Sequence, residues 1–267
     1  MDATSTIDLH TGRTMPILGL GTSGLTHDVA GRVSYALGLG YRLIDTASDY
    51  GTHTGIGEAI SSSSVDRDDL YIVMKVEATD DAFEATKQYL REINLQYADL
   101  MLIHRPPASG AGEELWEGLI RARNEGLVRD IGVSNYPAVL IEELIESSGE
   151  IPVVNQIEWS PFGHSAGIVR YCDSKDIIIQ AYSPLTRATR LDDNQLVKLA
   201  AKYNKTPAQI LIRWNLELGI VPLPKASERA HMEENINVFD FEIAPDDIAH
   251  LIELNELYST SGSLPYA

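Results

Sequence analysis

Short apolar runs rich in Val, Ile and Leu alternate along the chain with longer stretches whose apolar residues recur every three or four positions. The runs are one near 17–20, then "YRLID" (41–45), "LYIVMK" (70–75), "DLMLIH" (99–104), "LVRDIGVS" (127–134), "PVVNQIE" (152–158), "DIIIQAYS" (176–183) and "GIVPLPK" (219–225). Between them, stretches such as "DVAGRVSYALGLG" and "DAFEATKQYLREINL" have the period of helices with one buried face. Strands that are apolar throughout and joined by helices predict a parallel sheet covered on its outside, and eight such units can close into an α/β fold of the (β/α)8, or TIM, barrel type. Ahead of them, "TIDLHTGRTMPILGLGT" alternates polar and apolar residues around Gly12, which predicts a short N-terminal β-hairpin closing the bottom of the barrel. Asp28 and Ser227 are expected helix N-caps, and Gly40, Gly126 and Gly149 expected helix stops. No linker or low-complexity tract interrupts the rhythm, so one domain is expected over 1–267.

The competing architecture is an open doubly wound sheet, which uses a glycine-rich turn after its first strand. Gly19, Gly21 and Gly24 in "GLGTSG" have that spacing. A lone match of this kind is a weak signal, and Asp45, the acidic residue at the end of the next run, has other company.

That company consists of the polar residues ending the apolar runs. In a parallel barrel the C-terminal strand ends and the loops after them form the active face. Asp45, Lys75 and His104 end successive runs, and Tyr50 stands in the loop just past Asp45. Each alone has an ordinary explanation: a solvated lysine, a packed histidine, a turn-capping aspartate. Together they form a proton-transfer group. A phenol with an unperturbed pKa of roughly 10 is a reluctant acid. A neighbouring ammonium favours its phenolate, and a carboxylate keeps that ammonium charged and aimed. Lys75 is therefore expected to lower the pKa of Tyr50, making it a usable proton donor to a carbonyl oxygen, with His104 orienting or polarising the carbonyl. No metal is expected: one His and one Asp are too few ligands, and Lys75 would repel a cation. Ser134 in "GVSNY" lacks the glycine spacing of a hydrolytic nucleophile elbow.

Composition narrows the partners. A formal net charge of -18 repels phosphate backbones and anionic lipid surfaces, so neither nucleic acid nor a membrane is an expected partner. Cys172 is the only cysteine, which excludes an intrachain disulfide and fits a reducing compartment. With no basic-then-apolar start and no membrane-length apolar run, the chain is expected to be cytoplasmic.

Taken in order, "GLGT" (19–22), "LIDTASDYG" (43–51), "MKV" (74–76), "LIH" (102–104), "IGVSN" (131–135), "NQIEWSP" (155–161), "AYSPL" (181–185), "PLPKAS" (222–227) and "EENINVFDFE" (233–242) resemble the motifs of the aldo-keto reductase superfamily. The resemblance implies a barrel that binds a nicotinamide dinucleotide in extended form and reduces aldehydes or ketones, an NAD(P)H-dependent oxidoreductase acting on CH–OH groups. It implies Asp45, Tyr50, Lys75 and His104 as a catalytic tetrad with Tyr50 as general acid. Ser134, Asn135 and Gln156 are implied to hold the carboxamide of the nicotinamide, with the Tyr182 ring stacked against it, and Gly21, Thr22 and Asp45 are implied as further cofactor-binding residues. Ser183, Pro184 and Leu185 would lie along the pyrophosphate. Lys225 would meet the ribose 2'-phosphate with His231 near it, Glu234 and Asn235 would reach the adenine, and Ala226 and Ser227 are implied as further cofactor-binding residues.

Three departures shape the expectation. His231 stands where the family usually has an arginine on the adenine and 2'-phosphate, so NADPH is expected, with NADH possible; Arg229 either compensates or sits on the helix surface. Ser23 and Arg105 replace two tryptophans at the substrate mouth. A wider, more polar pocket is expected, with Arg105 recognising a substrate carboxylate or phosphate or else pairing with a surface acid. Trp159 can line the same site or pack under a loop. The tail is short, as in bacterial or archaeal members, which predicts an open and tolerant site; a monomer acting on small polar carbonyls, keto-sugars or keto acids is expected. Two other readings compete: a regulatory or structural barrel protein without turnover, and a sugar-phosphate hydrolase or isomerase, whose late glycine-rich phosphate loop "PLPKAS" lacks.

Overall fold

The computed structural model describes residues 1–266; Ala267, at the end of the domain expected over 1–267, lies outside them. A hairpin of β1 (Thr6–Asp8) and β2 (Thr14–Pro16) precedes eight parallel strands: β3 (Gly19–Gly21), β4 (Leu43–Asp45), β5 (Tyr71–Val76), β6 (Ala98–Ile103), β7 (Val128–Ser134), β8 (Val154–Glu158), β9 (Ile178–Tyr182) and β10 (Val221–Leu223). Each strand pairs with the next in sequence, from β3 to β10. The first and last strands meet: Gly21 bridges Lys225 in parallel and donates its N–H to the Pro224 carbonyl at 3.1 Å. The (β/α)8 barrel is thereby closed, which an open doubly wound sheet could not be. The polar ends of the eight strands are brought around a single rim.

Helices α1 (Val29–Leu39), α2 (His53–Ser62), α3 (Ala82–Ile93), α4 (Glu113–Asn124), α5 (Ala138–Ser148), α6 (Ala166–Ser174), α7 (Asn194–Tyr203), α8 (Pro207–Glu217), α9 (Arg229–Ile236) and α10 (Pro245–Glu253) lie along the chain. Their ends follow local chemistry. Asp28 caps α1 by accepting from the Gly31 N–H, and Gly40 and Gly149 end α1 and α5 at φ 106° and 74°, where a side chain would be strained. Gly126, also at positive φ, follows the C-cap of α4, Glu125. The cap of α9 is Glu228, one residue past the expected Ser227, and no side-chain bond at that cap selects between the two.

Two apolar layers result. The larger lies between strands and helices, and the smaller fills the barrel with Leu43, Val73, Leu100, Leu102, Val154 and Leu223. The hairpin plugs the end opposite the active rim: Leu9 and Met15 join that inner cluster, and Met15 Sδ accepts from Gln180 Nε2 at 3.1 Å. Fully burying a side chain of this size contributes about 1.5–3 kcal/mol, which holds the plug in place.

The chain beyond α10 folds back over the rim. Glu256 and Tyr258 both donate backbone N–H groups to the Phe162 carbonyl at 3.0 Å. The carboxylate of Glu158, at the end of β8, accepts from Ser259 Oγ (2.8 Å), the Thr260 N–H (2.6 Å) and Ser261 Oγ (3.1 Å), and its backbone carbonyl accepts from the Tyr266 hydroxyl. A side chain at Gly163 would run into the Tyr258 carbonyl. Residues 256–261 and Tyr266 are therefore tied to the end of β8 and the loop after it, on one side of the rim.

Candidate active site

Strand register sets the site. Asp45 in β4 pairs with Val73 in β5, and Lys75, two residues further along β5, points to the same side as Val73. Lys75 Nζ donates to both Asp45 oxygens at 2.8 Å and to the Thr46 carbonyl at 3.1 Å; the lysine side chain is 0 % exposed and the aspartate 6 %. Burial works against the ammonium, but Asp45 and then Tyr50 outweigh it, and the Lys75 pKa is held above the usual lysine range. The lysine is fully charged at neutral pH.

Tyr50 sits in a short 3-10 turn (Ser48–Tyr50) after β4. Its ring centroid is 5.1 Å from Lys75 Nζ and 5.9 Å from the His104 ring, which meets it edge-on at 79°. The sequence-based expectation of an acidified phenol is corrected here. Burial raises the Tyr50 pKa, Lys75 opposes that rise, and Asp45 and Asp49 add to it, so the net direction is upward. The phenol stays protonated in this site, and the ammonium acts by favouring whatever negative charge develops on its oxygen.

His104 follows β6 and is held by an unanticipated partner. Its Nδ1 is 2.5 Å from Glu77 Oε1 and 4.0 Å from Asp49. Burial, then Lys75 and Arg105, bring its pKa down to about 4, so the ring is neutral at pH 7. Ligand atoms of Asp49, Glu77 and His104 all lie within 4.8 Å of one another, so the count of one His and one Asp understated the metal-capable groups. The charges of Lys75 and Arg105, both felt by His104, oppose a cation there.

A polar layer adjoins this group. Gln156 Nε2 donates to Asp45 Oδ2 at 2.8 Å and to Gln180 Oε1 at 2.9 Å, Ser134 Oγ donates to the Gln156 carbonyl at 2.7 Å, and Asn135 Nδ2 donates to the His104 carbonyl at 3.0 Å. The Tyr182 hydroxyl donates to Asn135 Oδ1 at 2.7 Å. Asn135 adopts φ 65°, a left-handed conformation that asparagine tolerates better than most residues. On the other side, Thr22 Oγ1 donates to the Asp45 carbonyl at 2.8 Å, and Thr52 Oγ1 lies 3.2 Å from it and 2.7 Å from Thr46 Oγ1. Gly21 sits against the Leu223 carbonyl, with too little room for a Cβ.

The remaining candidates spread outward. Ser183, Pro184 and Leu185 follow β9 in a loop whose Ser183, Thr186, Arg187 and Ala188 all take positive φ, a costly run without glycine. Lys225 and His231 are exposed, Ala226 and Asn235 buried, and Ser227 half-buried. Glu234 accepts from the Thr206 hydroxyl. The Arg229 guanidinium lies 4.6 Å from the centre of the Tyr35 ring. Ser23 and Arg105 are exposed; Arg105 forms none of the ion pairs found among the described residues, although its charge acts on the Glu77 carboxyl. Trp159 is 2 % exposed and stacks on Trp214 with centroids 6.2 Å apart, so it packs beneath the rim instead of lining it.

Glu77, Asp49, Glu158, Thr52 and Gln180 were not singled out from the sequence. A signal existed for Glu77: two residues past Lys75, it shares that residue's strand parity.

The sequence profile of the Aldo/keto reductase family matches residues 17–256. Over 260 residues the chain is 40% identical to an aldo-keto reductase of Mycobacterium tuberculosis, covering 95% of this chain and 92% of that one. It is 36% identical over 289 residues to aldo-keto reductase family 1 member A1-A of Danio rerio, covering 94% and 89%. Among solved structures, an aldo-keto reductase of Bombyx mori in complex with NADP superposes with a TM-score of 0.91 at 32% identity, covering 97% of this chain and 95% of that one. An aldo/keto reductase from Brucella melitensis superposes with a TM-score of 0.89 at 36% identity, covering 94% and 99%.

Proposed function

Since the chain belongs to the aldo/keto reductase family, we propose that it reduces small polar aldehydes and ketones, such as keto-sugars and keto acids, to alcohols, with NADPH as the reductant and Tyr50 as the proton donor. The observation that carries this reading is the buried Lys75–Asp45 pair beside the Tyr50 ring at the C-terminal rim.

The chemistry assigned to this chain's own residues is proton transfer and charge placement. Tyr50 gives its phenolic proton to the carbonyl oxygen. Lys75 stabilises the phenolate left behind, and Asp45 keeps the lysine charged and aimed. The burial that raises the Tyr50 pKa keeps the phenol loaded before the transfer, while the ammonium favours its loss during it. When bound, the nicotinamide supplies the hydride that ends on the carbonyl carbon.

The residues present fit such a cofactor. Ser134, Asn135 and Gln156 form an amide-and-hydroxyl edge suited to a carboxamide, and in the hydrogen-bond network Gln156 Oε1 has no partner among the described residues. Tyr182 offers a ring face, and the turn from Ser183 to Leu185 supplies backbone N–H groups for a pyrophosphate. Lys225 and His231 are exposed bases for a 2'-phosphate, with Ala226 and Ser227 between them and Glu234 and Asn235 toward the adenine. A neutral imidazole is a weaker phosphate ligand than a guanidinium, so use of NADH alongside NADPH belongs to the proposal. At the mouth, Ser23 and the unpaired Arg105 give a polar entrance.

The proposal extends to a monomeric cytoplasmic enzyme. No helix among the described residues is long and apolar enough to cross a membrane, and the single thiol, Cys172, is buried with its pKa raised to about 12, unsuited to disulfide exchange.

The test is a spectrophotometric screen of NADPH and NADH consumption against aldehydes, keto acids and keto-sugars. Reduction of several members with NADPH is the expected result, and no turnover with any carbonyl while NADPH still binds would favour a non-catalytic barrel.

A further inference from the structure

The segment proposed above to meet the ribose 2'-phosphate, from Lys225 to His231, carries a carboxylate at its centre. Glu228 is the N-cap of α9, is exposed, and makes no side-chain cap bond. We infer that Glu228 is a specificity-determining residue of the nucleotide site: its carboxylate accepts from the ribose hydroxyls of NADH and opposes the 2'-phosphate of NADPH, so that both nucleotides serve. This assignment rests on the reductase reading above.

Between Lys225 and Ile236 the acids are Glu228, Glu233 and Glu234, and the lysines and arginines are Lys225 and Arg229. Two of the acids are engaged: Glu233 accepts from the Tyr35 hydroxyl and Glu234 from the Thr206 hydroxyl. The Arg229 guanidinium lies over the Tyr35 ring. The carboxylate of Glu228 has no such partner among the described residues, and it stands three residues from Lys225. A phosphate brought to this segment meets the lysine and the glutamate together, so part of the attraction to one charge is cancelled by repulsion from the other. The neighbours do little to restore it. Ala226 is buried and offers no polar side chain, Ser227 is half-buried, and His231 brings an imidazole in place of a guanidinium fork.

Position in the helix adds to the effect. The start of a helix favours negative charge, because its dipole and its first N–H groups point there. In α9 the Glu228 carbonyl accepts from the N–H groups of His231 at 3.1 Å and Met232 at 3.2 Å, and the anion nearest the helix start is the side chain of the same residue. A 2'-phosphate has to share that place with a carboxylate. A ribose diol brings O–H donors and no charge, and a carboxylate is acceptor-only, so the two are matched. The same division, an acid for the ribose hydroxyl and a cation for the 2'-phosphate, operates in doubly wound dinucleotide-binding folds. Here both groups stand in one segment, Lys225 favouring NADPH and Glu228 favouring NADH.

The experiment is isothermal titration of the full chain with NADPH and NADH, and with 2',5'-ADP and 5'-AMP, which carry the adenosine end alone. Wild type is expected to bind NADPH and NADH within about tenfold of each other. Glu228→Gln removes the charge at nearly constant shape, and Glu228→Thr removes it while supplying a good N-cap. Both variants are expected to tighten NADPH and 2',5'-ADP by about tenfold and to weaken NADH and 5'-AMP by a few fold. A wild-type preference for NADPH above about a hundredfold overturns the assignment. So does an NADPH-to-NADH affinity ratio that stays at the wild-type value in either variant, the result expected of a residue that only caps the helix. Wild type that binds neither nucleotide overturns the reductase reading and this assignment with it, whereas binding of both with an unmoved ratio overturns the assignment alone.

Discussion

Lys75 Nζ lies 2.8 Å from each oxygen of Asp45 in a part of the barrel where the lysine is sealed from solvent. Two opposite charges there are costly singly and tolerable only together, so removing one leaves the other buried without its partner. Lys75→Met is expected to destabilise the fold by about 3–5 kcal/mol and to abolish reduction. Urea denaturation of the single variant and of Lys75→Met combined with Asp45→Asn checks this: the double variant should recover much of the lost stability and none of the activity.

Tyr50→Phe removes only the hydroxyl. A fall in kcat/KM on the order of 10²–10⁴ is expected, the usual worth of a general acid, with NADPH affinity nearly unchanged. Steady-state kinetics together with a fluorescence titration of the nucleotide separates the two effects, and retained turnover rejects the role.

Arg105 stands exposed at the mouth, its charge reaching Glu77, His104 and Tyr182. Arg105→Ala is expected to raise KM by about tenfold for carboxylated or phosphorylated carbonyls while sparing neutral ones of similar size, the loss of one charge-assisted contact. Equal effects on both substrate sets would remove the residue from substrate recognition.

His231 and Lys225 are both exposed, and Arg229 lies over the Tyr35 ring. His231→Arg is therefore expected to tighten NADPH binding by about tenfold without improving NADH, and Lys225→Ala to weaken NADPH selectively. Isothermal titration of each nucleotide against the three proteins is the measurement.

The depressed pKa of His104 makes stability depend on pH. In the unfolded chain the imidazole takes up a proton near pH 6.5; in the folded chain it does so only near 4. Between those values the unfolded state binds more protons, so stability is fully present above about 6.5 and is lost as the pH falls toward 4. Thermal melts should show wild type losing on the order of 2–3 kcal/mol more than His104→Asn over that window. Parallel curves for the two proteins would mean that the ring titrates normally.

The barrel was readable because its evidence is periodic: each β-strand of the ring falls within or beside an apolar run, and Asp45, Lys75 and His104 stand where those runs stop. The hairpin was readable for the same reason. What escaped depends on depth or on distant segments. The sequence reveals the ammonium near Tyr50 but not how far the phenol is buried, and burial decides the direction of its pKa. Trp159 follows a rim strand, and only the arrival of Trp214 from α8 shows that its ring belongs to the packing beneath. Glu77 lies just past the end of its apolar run and reads as loop, although strand parity carries it into the site. The donors to Glu158 come from a stretch about a hundred residues downstream with no period of its own.

That last contact has a further meaning. Glu158 pairs with Tyr182 across the β8–β9 seam and also ties down residues 259–261. The wall beside the proposed stacking ring and the returning strap are therefore mechanically joined through one side chain. Grafting a relative's tail onto this barrel would reshape the entrance in an orderly way only if the receiving glutamate found matching hydroxyls; otherwise the transplanted segment would hang loose and leave a buried carboxylate without its donors.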